Sequence, residues 1–216
     1  MRRLIFRGIK VPWWEEALSV TTISTDNMFE VKISRSRATK HIRNGLCDVG
    51  GRWSCFGQAF RQIHRIHPSN LRRGGQLYNT TFMGERAHDA GGPYRETFCE
   101  YATELMSLAT PLFILAPNGR HAVGMNRDAW VPNPSSYSVA GSAAAEMYEF
   151  VGKIYGIVVR SRDYLNLTMP SMVWKKVRRG GGRSELGAFA LFIANFLFTP
   201  FSLITALWGT NWIGRS

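Results

Sequence analysis

Cys47, Cys55, His64 and His67 fall within one short region and are residue types that hold zinc. Structural zinc sites favour ligand pairs about two to four residues apart, and Cys47 and Cys55 are wider apart than that, so the spacing points away from a metal. A nucleophilic cysteine needs a lowered pKa, from a basic neighbour or a helix N-terminus. Cys99 adjoins Glu100 and lies a turn from Glu96, which disfavours its thiolate. Cys55 lies near a helix start and close to Arg52, but no histidine and carboxylate can be assigned around it. Gly180-Gly181-Gly182 is followed by Arg183-Ser184, not by the lysine and hydroxyl residue of a phosphate-binding loop, and reads as a linker. No catalytic, cofactor-binding or metal-ligating residue emerges, and no cofactor is expected. Three cysteines without paired spacing argue against a disulfide framework and for a reducing, intracellular setting.

The elements that would position any such groups are legible from periodicity. Phe56, Ala59, Phe60 and Ile63 recur at helical spacing and predict an amphipathic helix ending near His67-Pro68. The run from Leu77 to Met83 is rich in β-branched and aromatic residues and predicts a strand. Asp89-Ala90-Gly91-Gly92 reads as a loop, and Pro93 opens a helix on which Phe98, Tyr101, Ala102 and Leu105 share one face and Glu96, Glu100 and Glu104 another. Residues 111–116 predict a short apolar strand, and Pro117-Asn118-Gly119 a turn. Met147, Phe150, Val151, Ile154, Ile157 and Val158 form a wide apolar stripe over 143–160, with Gly152 and Gly156 one turn apart for close contact. Met172, Val173 and Trp174 predict a short helix after Pro170. The fold class is α+β with helices dominant.

Charge divides the chain. Of the 27 Lys and Arg and 15 Asp and Glu that give a net charge of +12, residues 1–80 hold 14 against 5. Residues 1–53 read as a weakly ordered basic leader with one short strand, Phe29 to Ile33, and residues 54–76 as a lead-in helix and turn. The leader's charge reads as a solvated face in preference to a nucleic-acid site, which stands as a third reading and predicts affinity that falls steeply with salt. From residue 179 a Gly/Arg linker gives way to a run without charges at 186–208, long enough at helical rise for a transmembrane helix.

The segment Gly84-Glu85, then Asp89-Ala90-Gly91-Gly92, then Arg95-Glu96 resembles the opening of the HECT domain, a domain of ubiquitin ligases whose pattern runs strand, Gly-Glu, Asp-x-Gly-Gly and Arg-Glu at a helix start. Asn133-Pro134-Ser135, the helix with Phe150, Gly152 and Gly156, and Val173-Trp174-Lys175 follow in the family's order. The resemblance covers residues 77–178, and its spacing is most similar to the large HECT ligases that also carry β-propeller repeats. It implies an incomplete N-lobe of a cytoplasmic transferase that passes ubiquitin through a cysteine thioester to a substrate lysine. Its partners would be ubiquitin and a ubiquitin-conjugating enzyme, whose docking surface is expected to be missing here. No cysteine follows Cys99, so the family's catalytic residue maps to no position and the chain alone is expected to be inactive. The tail from Arg179 resembles nothing in a HECT domain, and an unspliced intron or a splice variant would produce such a switch. The alternative is a noncatalytic, membrane-anchored binding protein held by 186–208.

Overall fold

The computed structural model describes residues 7–24, 28–85 and 92–179. Helix α1 (Arg7–Val20) leads into strand β1 (Phe29–Ile33) and helix α2 (Arg35–Arg43). Helix α3 (Cys55–Ile63), a 3-10 turn at Pro68–Leu71 and strand β2 (Tyr78–Phe82) follow. Helix α4 (Gly92–Leu105), strand β3 (Phe113–Leu115), helix α5 (Pro117–Arg120) and strand β4 (Trp130–Pro132) lead to helices α6 (Ser136–Ala140), α7 (Ser142–Ser161) and α8 (Ser171–Arg179). The protein is α+β and helix-dominated, as the sequence predicts.

Local chemistry explains the boundaries. Ser34 and Ser54 cap α2 and α3, each hydroxyl accepting an N–H of the first turn, from Arg37 and Gly57 respectively. Helix α2 ends with Lys40 and Arg43 in its last turn, cations that favour the negative end of its dipole. Pro12 lies inside α1, where its missing N–H leaves the Gly8 carbonyl without its helical donor. Helix α7 stops where Arg162 turns left-handed at φ 59°.

The leader differs from the expectation of weak order. Its strand β1 pairs in parallel with β2, in the register Phe29 to Tyr78 through Ile33 to Phe82. Val31 and Ile33 are fully buried while Glu30 and Lys32 face solvent, an alternation that a solvated leader would not need. Parallel strands require a long crossover, and α2 and α3 supply it, so the leader and the segment after residue 54 share one core. Strands β3 and β4 form a separate antiparallel pair.

The core is aromatic. Phe56 of α3 lies 5.3 Å from Phe150 of α7 and 6.3 Å from Tyr101 of α4, and Tyr94 is 4.9 Å from both Tyr78 and Phe98. Edge-on geometry at the Tyr94 contacts is the arrangement aromatic quadrupoles favour. The apolar stripe predicted for α7 is buried from Met147 to Val158, and Gly152 and Gly156 are buried with it. Leu167 and Met169, in the extended segment before α8, close the same core.

Candidate functional site

The motif glutamates meet at one arginine. Gly84 adopts φ +87°, which a β-carbon would oppose, and the resulting turn lets the Glu85 N–H donate to the Phe82 carbonyl at 3.1 Å. Glu85 thereby faces Arg35, at the start of α2. The Arg35 guanidinium donates through Nε to Glu85 at 2.9 Å and through its terminal nitrogens to the second Glu85 oxygen and to Glu96 on α4. Glu100, one turn along, lies 3.7 Å from the same guanidinium. Arg35 also covers the Phe82 ring at 4.1 Å, a cation–π contact. Hydrogen bonding to Glu85 holds the guanidinium well above its ordinary pKa, and the same bond holds the Glu85 carboxyl below the usual carboxylate range. The Glu96 carboxylate, on the α4 face it shares with Glu100, thus turns to a cation from the leader.

The other motif residues are spread along the fold. Gly92 is the first residue of α4, and Arg95 on its exposed side donates to Asp163 just beyond α7 at 3.0 Å. Asn133 follows β4; its amide donates to the Pro111 carbonyl at 2.9 Å and its backbone N–H to Leu112 at 2.8 Å, which ties β4 to the start of β3. Pro134 is exposed beside it. Trp174 of α8 meets the Tyr155 ring edge-on at 5.6 Å. Asp89 and Gly91 lie outside the described residues.

Helix α3 is held at both ends by charged groups from neighbouring helices. At its N-terminus the Glu104 carboxylate of α4 accepts the N–H groups of Cys55 and Phe56 at 2.8 and 2.7 Å. These are orphan donors of a first turn, and an anion there also complements the helix dipole. At its C-terminus the Lys153 ammonium of α7 donates to the carbonyls of His64 and, at 3.3 Å, Ile66. Arg160, further along α7, does the same for α1 through the Leu18 carbonyl and the Thr21 and Thr22 hydroxyls. Lys153 and Arg160 were missed in the sequence, although each is a charge set into an apolar face, which implies a buried acceptor.

Cys47 and Cys55 lie in surroundings that oppose thiolate formation. Cys55 is fully buried, and burial followed by the Glu104 and Glu100 carboxylates drives its thiol far above the ordinary range. Burial, then Asp48, raises Cys47. Cys99 is exposed on α4. His64 stacks on Phe60 and bonds its carbonyl, and His67 caps the 3-10 turn through Ser69. Among the described residues no group of three or more His, Cys, Asp or Glu could hold a metal. Among them, too, no helix is long and apolar enough to cross a membrane; the run at 186–208 lies outside them.

No family model matches the chain. Over 151 residues it is 34% identical to E3 ubiquitin-protein ligase HERC2 of Mus musculus, and equally to that of Homo sapiens. The match takes in 70% of this chain and spans 3% of the length of either relative. The chain is therefore related to a ubiquitin-protein ligase.

Proposed function

We propose that residues 28–178 form part of the N-lobe of a HECT-type ubiquitin ligase, a positioning scaffold within a lobe whose transferring cysteine lies elsewhere. The convergence of Glu85 and Glu96 on Arg35 carries this reading. Both glutamates belong to the motif that resembles the HECT opening, and both are spent on an ion pair that fastens β2 and α4 to the leader. The likeness to E3 ubiquitin-protein ligases supports ubiquitin transfer as the setting, with ubiquitin and a conjugating enzyme as the partners of the complete ligase. Three free cysteines support an intracellular location.

Under this reading the 216-residue chain forms no ubiquitin thioester. Incubation with activating enzyme, conjugating enzyme, ubiquitin and ATP is expected to leave it unmodified on non-reducing gels. A ubiquitin adduct removed by thiol reductant, and lost when Cys47, Cys55 or Cys99 is changed to serine, would overturn the proposal.

A further inference from the structure

The seam between β1 and α3 is capped by two glutamines of one helix face. Gln62 accepts the Lys32 N–H at 3.0 Å and donates to the Lys32 carbonyl at 2.9 Å. Gln58, one helical turn earlier, accepts the Ser34 N–H at 2.8 Å and donates to its carbonyl at 3.0 Å. The side chains thus imitate a neighbouring strand and satisfy the edge of β1, which is closed to pairing with an added strand. Above this fixed floor lies a cleft walled by Lys32, Arg37, Arg52, Arg61, Trp53 and Met83.

The cations come from four places, β1, α2, the loop before α3 and α3 itself, yet face one hollow. Lys32 has Glu30 at 3.3 Å. Among the described residues no carboxylate lies within ion-pair distance of Arg37, Arg52 or Arg61, all of them exposed. The apolar walls are open as well: Trp53 is 44% and Met83 51% exposed. One Trp53 face already stacks on His41 at 5.6 Å, so this ring offers a packing wall and not a base-stacking platform.

We propose that this cleft binds an acidic peptide segment of a partner protein, one carrying an aliphatic or aromatic side chain between carboxylates. Guanidinium forks match carboxylates in a two-toothed geometry, and unpaired arginines around one hollow supply the complementary field. Trp53 and the flexible thioether of Met83 supply contact for the apolar side chain. A nucleic acid would call for cations repeated along a track with aromatic faces free for successive bases. The cleft shows one hollow and one half-occupied ring. The inference does not rest on the ligase reading, because it uses none of the motif residues.

Fluorescence anisotropy on the full chain tests it, with a labelled peptide of Asp and Glu around a central Leu, an all-acidic peptide of equal charge, and single-stranded oligothymidine of equal charge. The leucine-containing peptide is expected to bind best, with affinity falling as salt rises. R37E/R61E is expected to weaken it roughly tenfold or more, while R120E/K175E, with the same change of net charge elsewhere, leaves it nearly unchanged. Trp53→Ala is expected to erase the preference for leucine. Unfolding midpoints establish that the variants are folded, and R37Q/R61Q replaces the reversal if it is not. No binding, equal losses in both double variants, or tighter binding of oligothymidine would each overturn the proposal.

Discussion

Gly57, in the first turn of α3, has its backbone N–H on the Ser54 hydroxyl at 2.9 Å. A β-carbon there would lie 2.6 Å from the Gly51 carbonyl carbon and 2.8 Å from the Ser54 oxygen, and would press on the Asp48 carboxylate. Asp48 is buried, and it cannot yield cheaply. It accepts the N–H groups of Arg52, Trp53 and Ser54 at 2.8 to 2.9 Å and the Ser54 hydroxyl at 2.6 Å. Helix propensity alone would make Gly57→Ala stabilising by about 1 kcal/mol. Overpacking and the disturbed hydrogen bonds are expected to outweigh that and give a net loss of about 2–4 kcal/mol. The sign of the change in urea midpoint decides between the two effects, and an Ala variant as stable as the parent would show that the Asp48 loop relaxes.

At the scale of elements, α7 does more than bury a stripe, since its cations cap the C-termini of α1 and α3. Lys153→Met keeps the volume and the apolar contact but leaves the His64 and Ile66 carbonyls without that donor. The expected loss is about 1–3 kcal/mol, read as a lowered unfolding midpoint. A variant at least as stable as the parent would mean that water or a shifted backbone serves those carbonyls equally well. Lys153 also shows where sequence reading runs out. Periodicity located α3, β2, α4 and α7 because each turns an apolar face to one core, as Phe56, Phe98 and Phe150 do. It placed Glu96, Glu100 and Glu104 on one face of α4. It did not separate their fates, because Arg35 reaches Glu96 across 61 residues and Cys55 reaches Glu104 across 49. The order of the leader is hidden from the sequence for the same reason: β1 is short and flanked by charge, and only its pairing with β2, far along the chain, buries it. Pairing partners carry no local signature, so the motif glutamates were visible in sequence while the arginine that gathers them was not.

For the molecule as a whole, Glu104 links stability to pH near neutrality. Burial raises its carboxyl from the ordinary 4.5 to about 7, outweighing the N–H bonds from Phe56 and Cys55 that favour the anion. The folded protein therefore holds this proton more tightly than the unfolded chain. The stabilisation from that proton is fully present below about pH 4.5 and is lost as pH rises through about 7, an effect on the order of 3 kcal/mol. Two other trends overlie it. A chain with net charge +12 repels itself less as pH rises. The lowered carboxyl of Glu85 acts in the opposite direction, adding stability above its unfolded pKa that fades on acidification, though solvent screens it. Comparing the parent with Glu104→Gln separates these, because both chains share every other titrating group. Glutamine keeps one acceptor for the α3 N-terminus, turns an amide against the second N–H, and cannot titrate. Urea unfolding at pH 5 and pH 8 is expected to show the parent's stability relative to Glu104→Gln falling by about 2–3 kcal/mol between the two. A difference that stays constant would mean that Glu104 is ionised throughout and that the two N–H donors, not burial, set its charge in the folded protein.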